Sequence, residues 1–147
     1  MKCIIAGSRQ DISFEQVVEA IVASGWADQI TEVVSGCAGG VDTYGADWAK
    51  ELSIPVKEFP AKWDVIKNTK DKVKIKTNKF GKQYNVLAGF NRNEKMANYA
   101  DAAIIVHNGS PGSLDMLEKS KEKNLKVFEY DVRKLEGEDE LEEVIEF

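Results

Sequence analysis

Two arginines and three glycine-bearing loops are the groups of this chain best suited to hold an anion. Gly7-Ser8-Arg9 follows the apolar run Cys3–Ala6, Ser35–Asp42 follows Glu32–Val34, and Asn108–Ser113 follows Ala102–Val106. Short apolar runs bounded by turn residues read as buried strands. Loops that leave such strands and open a helix present backbone N–H groups and the positive helix end to phosphate or carboxylate. The chain has 17 lysines but only three arginines, Arg9, Arg92 and Arg133. Arg9 closes the first loop, and Arg92, followed by Asn93, opens a helix. A guanidinium grips phosphate bidentately where lysine offers a point charge, so this sparing use of arginine favours an oxyanion ligand. The plain alternative is a surface arginine paired with Asp or Glu.

The second loop, Ser35-Gly36-Cys37-Ala38-Gly39-Gly40-Val41-Asp42, has three glycines that permit positive φ and close approach to a ligand. Asp42 either caps the following helix or accepts from a ribose hydroxyl. The loop is neither a Walker A motif nor a Gly-x-Gly-x-x-Gly fingerprint. In the third loop Gly109, Gly112 and Ser113 are the candidate contacts. Trp63 either stacks on a base or packs in the core. His107 ends its strand at the same edge, as a general base, a packed residue or a ligand contact. Two cysteines and this one histidine form neither a disulfide framework nor a zinc pattern, so neither a metal nor a cofactor is expected.

These residues need a scaffold that brings strand ends together. Met1–Ala6 reads as a first strand; Ser13 caps a helix over Phe14–Ser24 with Val17, Val18, Ile21 and Val22 on one face, and Gly25 stops it. A second strand, Glu32–Val34, leads to a helix over about Asp42–Leu52 with Ala46, Ala49 and Leu52 inward. Pro55–Phe59 is a third strand. A helix over about Phe90–Tyr99, a fourth strand Ala102–Val106, a helix over about Ser113–Lys123 and a fifth strand Lys126–Tyr130 follow, and an acidic helix over about 138–146 closes the chain. Trp26 and Trp48 read as packing residues. Strands separated by helices imply right-handed crossovers and a parallel sheet. The expected fold is an α/β, Rossmann-like three-layer sandwich with a parallel five-stranded sheet of order 3-2-1-4-5 and a lysine-rich insertion, whose ligand crevice lies at the carboxyl edge. Within the insertion, the alternation Val73–Thr77 suggests an exposed strand or hairpin arm turned by Asn78 and Gly81.

With 147 residues and 43% hydrophobic content, one domain over 1–147 is expected. No stretch approaches a membrane span and no leader pattern opens the chain, which makes a cytoplasmic location the expectation. The net charge of −5 is uneven. Lys62–Lys82 holds eight lysines against Asp64 and Asp71, while residues 136–147 add seven acids and no base. Such polarity steers anions or docks subunits, or it marks solvated faces.

Six spaced motifs resemble the SLOG superfamily and, within it, the group related to YspA and YpsA. They are Ile4–Arg9, Val34–Thr43 with Ala49-Lys50, Ile54–Val56 with Phe59–Asp64, Gly81-Lys82 with Ala88-Gly89, Asn91–Met96, and Ala100–Ala102. They cover roughly residues 1–130. The resemblance implies a Rossmann-like fold that binds nucleotides or nucleotide-derived small molecules, including signals of bacterial and phage conflict systems. Where that family often has Gly-Gly-Ala-Arg-Gly, this chain has Gly36-Cys37-Ala38-Gly39-Gly40 and lacks the loop arginine. It also inserts about Val65–Lys79, as a lid or a self-association arm.

The related lonely-guy phosphoribohydrolases pair an arginine, which Arg92 resembles, with a glutamate whose position here is Met116. A methionine neither stabilises an oxocarbenium-like centre nor activates water. No catalytic residue is assigned. The leading expectation is a non-catalytic sensor or sequestering protein for a nucleotide-derived small molecule, forming a homo-oligomer. One alternative is a hydrolase cleaving an N-glycosidic or phosphate bond. The other is a nucleic-acid-binding domain, since the SLOG fold also occurs in DNA-processing protein A. Net acidity and few arginines weigh against nucleic acid as a partner.

Overall fold

Strand β1 (Lys2–Gly7) lies at the centre of a five-stranded sheet, and its alternating side chains feed two cores. The computed structural model describes residues 1–64 and 72–134. Cys3 and Ile5 face one side, packed with Val17, Ile21, Val41, Trp48 and Ala49 of helices α1 (Phe14–Ser24) and α2 (Val41–Glu51). Ile4 and Ala6 face the other, packed with Met96, Ala97, Met116 and Leu117 of α3 (Ala88–Tyr99) and α4 (Pro111–Glu122). A strand covered on both faces must be apolar throughout, which is why Cys3–Ala6 shows no polar alternation.

Strand β2 (Glu32–Ser35) pairs with β1 on one side, and β3 (Val56–Glu58) pairs with β2. Two strands, β4 (Ile75–Thr77) and β5 (Gln83–Asn85), form a separate antiparallel hairpin, the arm expected from the alternation. On the other side of β1 lie β6 (Ala102–His107) and β7 (Lys126–Asp131). All five sheet strands run parallel in the order β3-β2-β1-β6-β7, which is the expected 3-2-1-4-5 with the hairpin set aside. The chain thus has the Rossmann-like three-layer architecture expected of it.

Local signals place the helices. Ser13 accepts from the Gln16 N–H at 3.2 Å while the Gln16 side chain accepts from the Ser13 N–H at 2.9 Å, a complete capping box. Trp26 packs edge-on to Phe128, and Trp48 is buried. Two inward assignments are corrected. Val22 is 66% exposed because the buried stripe of α1 runs through Val17, Ala20 and Ile21, and Leu52 is 58% exposed because it caps α2 from outside.

The expected acidic helix over 138–146 and residues 65–71 of the insertion lie outside the described residues. Residues 72–79 are exposed, as expected for a lysine-rich arm. Among the described residues no helix is long and apolar enough to cross a membrane.

Candidate functional site

The carboxyl edge of the sheet opens into a crevice of about 550 Å³ where the three loops converge. Gly7, Ser8, Arg9, Gly36, Asp42, Trp63, Arg92, Asn93, Gly112 and Ser113 all line it. Cys37 and Gly39 line an adjoining depression that shares Arg9, Gly36, Trp63 and Arg92. Ser35, Gly40, His107 and Gly109 support the loops from behind. Ser35 accepts from the Cys37 N–H at 3.2 Å, and Gly40 lies against the backbone of Ser8 and Arg9. The glycine loop thereby docks on the first loop, with the Val41 N–H donating to Ser8 at 3.2 Å.

Arg92, the fifth residue of α3, reaches across to the second loop. Its Nη1 donates to the Gly36 carbonyl, and its Nε donates to Asn93 Oδ1 at 3.0 Å. Asn93 in turn donates to Asp115 at 3.0 Å, which Lys119 pairs at 2.6 Å. Asp115 is thus directed to α3 and to the next turn of its own helix, and α4 gives the crevice Gly112, Ser113 and the buried Met116 instead.

Asp42 is buried and accepts from the Ala38 N–H at 3.1 Å, so it fixes the loop conformation. Gly40, not Asp42, occupies the helix cap, which removes the capping role. Burial pushes the Asp42 carboxyl above its ordinary range, against the hydrogen bond from Ala38 and the charge of Arg92. Burial also pulls the Arg92 guanidinium down; Asp42 opposes this and the nearby Arg9 reinforces it. Arg9, Arg92 and one buried carboxylate therefore border one crevice and feel one another's charge. An anion entering there relieves the mutual repulsion of the two guanidinium groups.

The opposite wall is made of hydroxyls. Ser8 Oγ lies 2.8 Å from Ser110 Oγ, which lies 2.7 Å from Ser113 Oγ. Asn108 closes the set: its side-chain oxygen accepts from Ser8 at 2.8 Å and its backbone N–H donates to Ser8 at 3.1 Å. Within the third loop the sequence does not distinguish Asn108 and Ser110 as contacts, because their shared partner Ser8 sits about a hundred residues away.

His107 is fully built into the fold. The Gly109 N–H donates to Nδ1 at 2.9 Å, and Nε2 lies 2.8 Å from Glu129. With Nδ1 accepting, the neutral ring carries its proton on Nε2 and has no lone pair left for a base or ligand role. The nearby Asp131 is engaged by Arg133 at 2.9 Å. Cys3 and Cys37 are both free thiols.

No family model matches the chain, and no curated protein does. Two solved structures share its fold. DNA processing protein A from Streptococcus pneumoniae aligns with a TM-score of 0.61 and 20% identity over 87% of this chain and 49% of that one. DNA processing protein A from Helicobacter pylori, described for its single-stranded DNA binding mode, aligns with a TM-score of 0.54 and 19% identity over 88% and 64%. The chain thus spans about half to under two thirds of the length of these neighbours. They show a Rossmann-like fold shared with DNA processing protein A and do not confirm the narrower group.

These neighbours also correct two expectations. The small-molecule sensor or sequestering protein gives way to the nucleic-acid alternative, and nucleic acid is no longer disfavoured as a partner. The physical error lay in weighing net charge. A whole-chain sum says little about the field inside one crevice, and seven of the 25 acids fall in residues 136–147.

Proposed function

We propose that the crevice binds single-stranded DNA. The observation that carries this reading is the convergence of Arg9 and Arg92 on glycine loops beside the half-exposed Trp63. The guanidinium groups and loop N–H groups suit backbone phosphates, and an exposed indole suits an unstacked base. A cavity of about 550 Å³ admits splayed nucleotides and is too small for a duplex. The reading is supported by a fold shared with DNA processing proteins, one of them described for its single-stranded DNA binding. Residues 1–135 carry 20 basic against 18 acidic residues, so the acidic balance of the chain is no obstacle.

The test is anisotropy titration of a labelled oligothymidylate across a salt series, with the matching duplex as competitor. Affinity for the single strand should fall with salt, by about 0.7 log units per tenfold salt for each phosphate contact. Arg9→Ala and Arg92→Ala should each weaken binding roughly 10-fold with the fold intact. Absence of binding at low salt, or wild-type affinity in both variants, overturns the reading.

A further inference from the structure

Residues 72–87 contain five lysines, Lys72, Lys74, Lys76, Lys79 and Lys82, and no acidic residue. The β4–β5 register sorts them. Lys76 stands opposite Tyr84, and the ladder continues on either side through the Val86 N–H to Lys74 and the Asn78 N–H to Lys82. Cross-strand partners share a face and alternate residues return to it, so Lys74, Lys76, Lys82, Tyr84 and Val86 lie on one side of the hairpin.

That side is continuous with the crevice. Val86 and Trp63 line the crevice, while Trp63, Tyr84 and Lys82 line a shallow depression of about 390 Å³ next to it. The hairpin is held in this position: Asn85 is buried, its N–H donates to the Trp63 carbonyl at 2.9 Å, and its side chain accepts from the Lys74 N–H at 3.0 Å and donates to the Lys72 carbonyl at 3.1 Å. The one described ion pair on this face, Lys82 with Asp64 at 3.1 Å, is solvent-exposed at both ends and yields readily to a phosphate.

We propose that this face is a second contact for the same single strand. Bases leaving the crevice stack over Trp63 and Tyr84, and their phosphates run along Lys74, Lys76 and Lys82. Aromatic rings interleaved with cations suit single-stranded DNA because every base has a face to stack and every linkage a charge to neutralise. The inference rests on the crevice reading above and extends the footprint beyond it.

Oligothymidylates of increasing length, titrated against three forms of the full chain, test it. Wild-type affinity should rise with length to a plateau. A Lys74→Ala/Lys76→Ala/Lys82→Ala variant should keep wild-type affinity for the shortest oligonucleotide that binds and lose roughly 10-fold or more on long ones, with a salt slope lower by about 2. Tyr84→Leu should weaken only the long oligonucleotides and leave the salt slope alone. Arg92→Ala should lose affinity at every length. If the triple variant matches wild type at all lengths while Arg92→Ala is weakened, the hairpin contact is overturned and the crevice reading stands. If Arg92→Ala matches wild type while the triple variant is weak throughout, the crevice reading fails and the hairpin's role as a second contact fails with it. If the triple variant binds DNA normally but its mass by light scattering without DNA differs from wild type, the face joins two copies and the proposal is overturned.

Discussion

Asn85 is bonded to Trp63 through the backbone, N–H to carbonyl at 2.9 Å, so the hairpin that carries Tyr84 is tied to the aromatic residue on the crevice rim. The Asn85 side-chain oxygen accepts from both the Lys74 and the Leu87 N–H groups, which anchors the arm at the start of α3. Removing that oxygen orphans two amides at once. Asn85→Ala should cost about 1–3 kcal/mol locally and speed hydrogen exchange over residues 72–87, with β1 and β6 unaffected. Unchanged exchange there would contradict the anchoring role.

Gly7 and Gly36 should respond differently to alanine. A Cβ on Gly7 would sit 1.7 Å from the Val106 carbonyl oxygen, inside the β1–β6 pairing, where backbone cannot give way. Gly7→Ala should therefore destabilise the fold by about 2 kcal/mol or more, read as a lower Tm. A Cβ on Gly36 meets the Arg92 guanidinium at 2.6 Å, the movable end of a long side chain, and the Asp42 carboxylate at 2.8 Å. Gly36→Ala should weaken DNA binding and cost less in Tm than Gly7→Ala; the opposite pattern would show that Arg92 is not what the glycine accommodates.

Arg92→Lys separates charge from shape. Lysine keeps the positive charge but cannot reach the Gly36 carbonyl and Asn93 with a planar fork while facing a phosphate. Single-stranded DNA affinity should fall between those of wild type and Arg92→Ala, with the wild-type salt slope retained. An affinity equal to wild type would reduce the role of Arg92 to a point charge.

The two thiols should be distinguishable by rate. Burial pushes the Cys3 thiol up to about 12, and burial together with the Glu58 charge also raises the exposed Cys37. At neutral pH both are almost wholly protonated, but only Cys37 is reachable. A thiol reagent should label Cys37 slowly in the native protein and Cys3 only on unfolding. Rapid labelling of both in the folded state would refute this.

Acid should act through Asp131, whose carboxyl the Arg133 guanidinium holds down to about 2. An unfolded aspartate titrates at about 3.9. A lowered folded value means that the contribution is complete above the unfolded value and is lost as pH falls through about 2. Asp131→Asn should flatten the fall in stability between about pH 5 and pH 2; an unchanged profile would remove the pair from the acid response.

The central strands β1, β2 and β6 were legible because strands covered on both faces are written as apolar runs, and glycine stands at or just past the end of each where the chain turns at the crevice. Arg9 and Arg92 could be singled out because arginine is scarce in this chain. What could not be read depends on distant partners. Asn108 meets Ser8 across a hundred residues, and His107 loses its ring nitrogens to Gly109 and to Glu129 on a strand that only the sheet register brings alongside. Leu52 looked inward because its spacing continues α2, yet the helix had already ended.

The serine wall has a direction. Ser8 gives its only proton to the Asn108 side-chain oxygen, which the bond from Asn108 Nδ2 to the Gln10 carbonyl fixes in orientation. Ser110 must then donate to Ser8, and Ser113 to Ser110. The chain of protons points inward, and Ser113 is left offering lone pairs to the crevice. The guanidinium groups give protons to the crevice, while Ser113 Oγ has only lone pairs to offer it. An occupant that satisfies both carries an acceptor on one side and a donor on the other, as a nucleotide does with its phosphate oxygens and a base N–H, so the two walls decide which side of an occupant faces which.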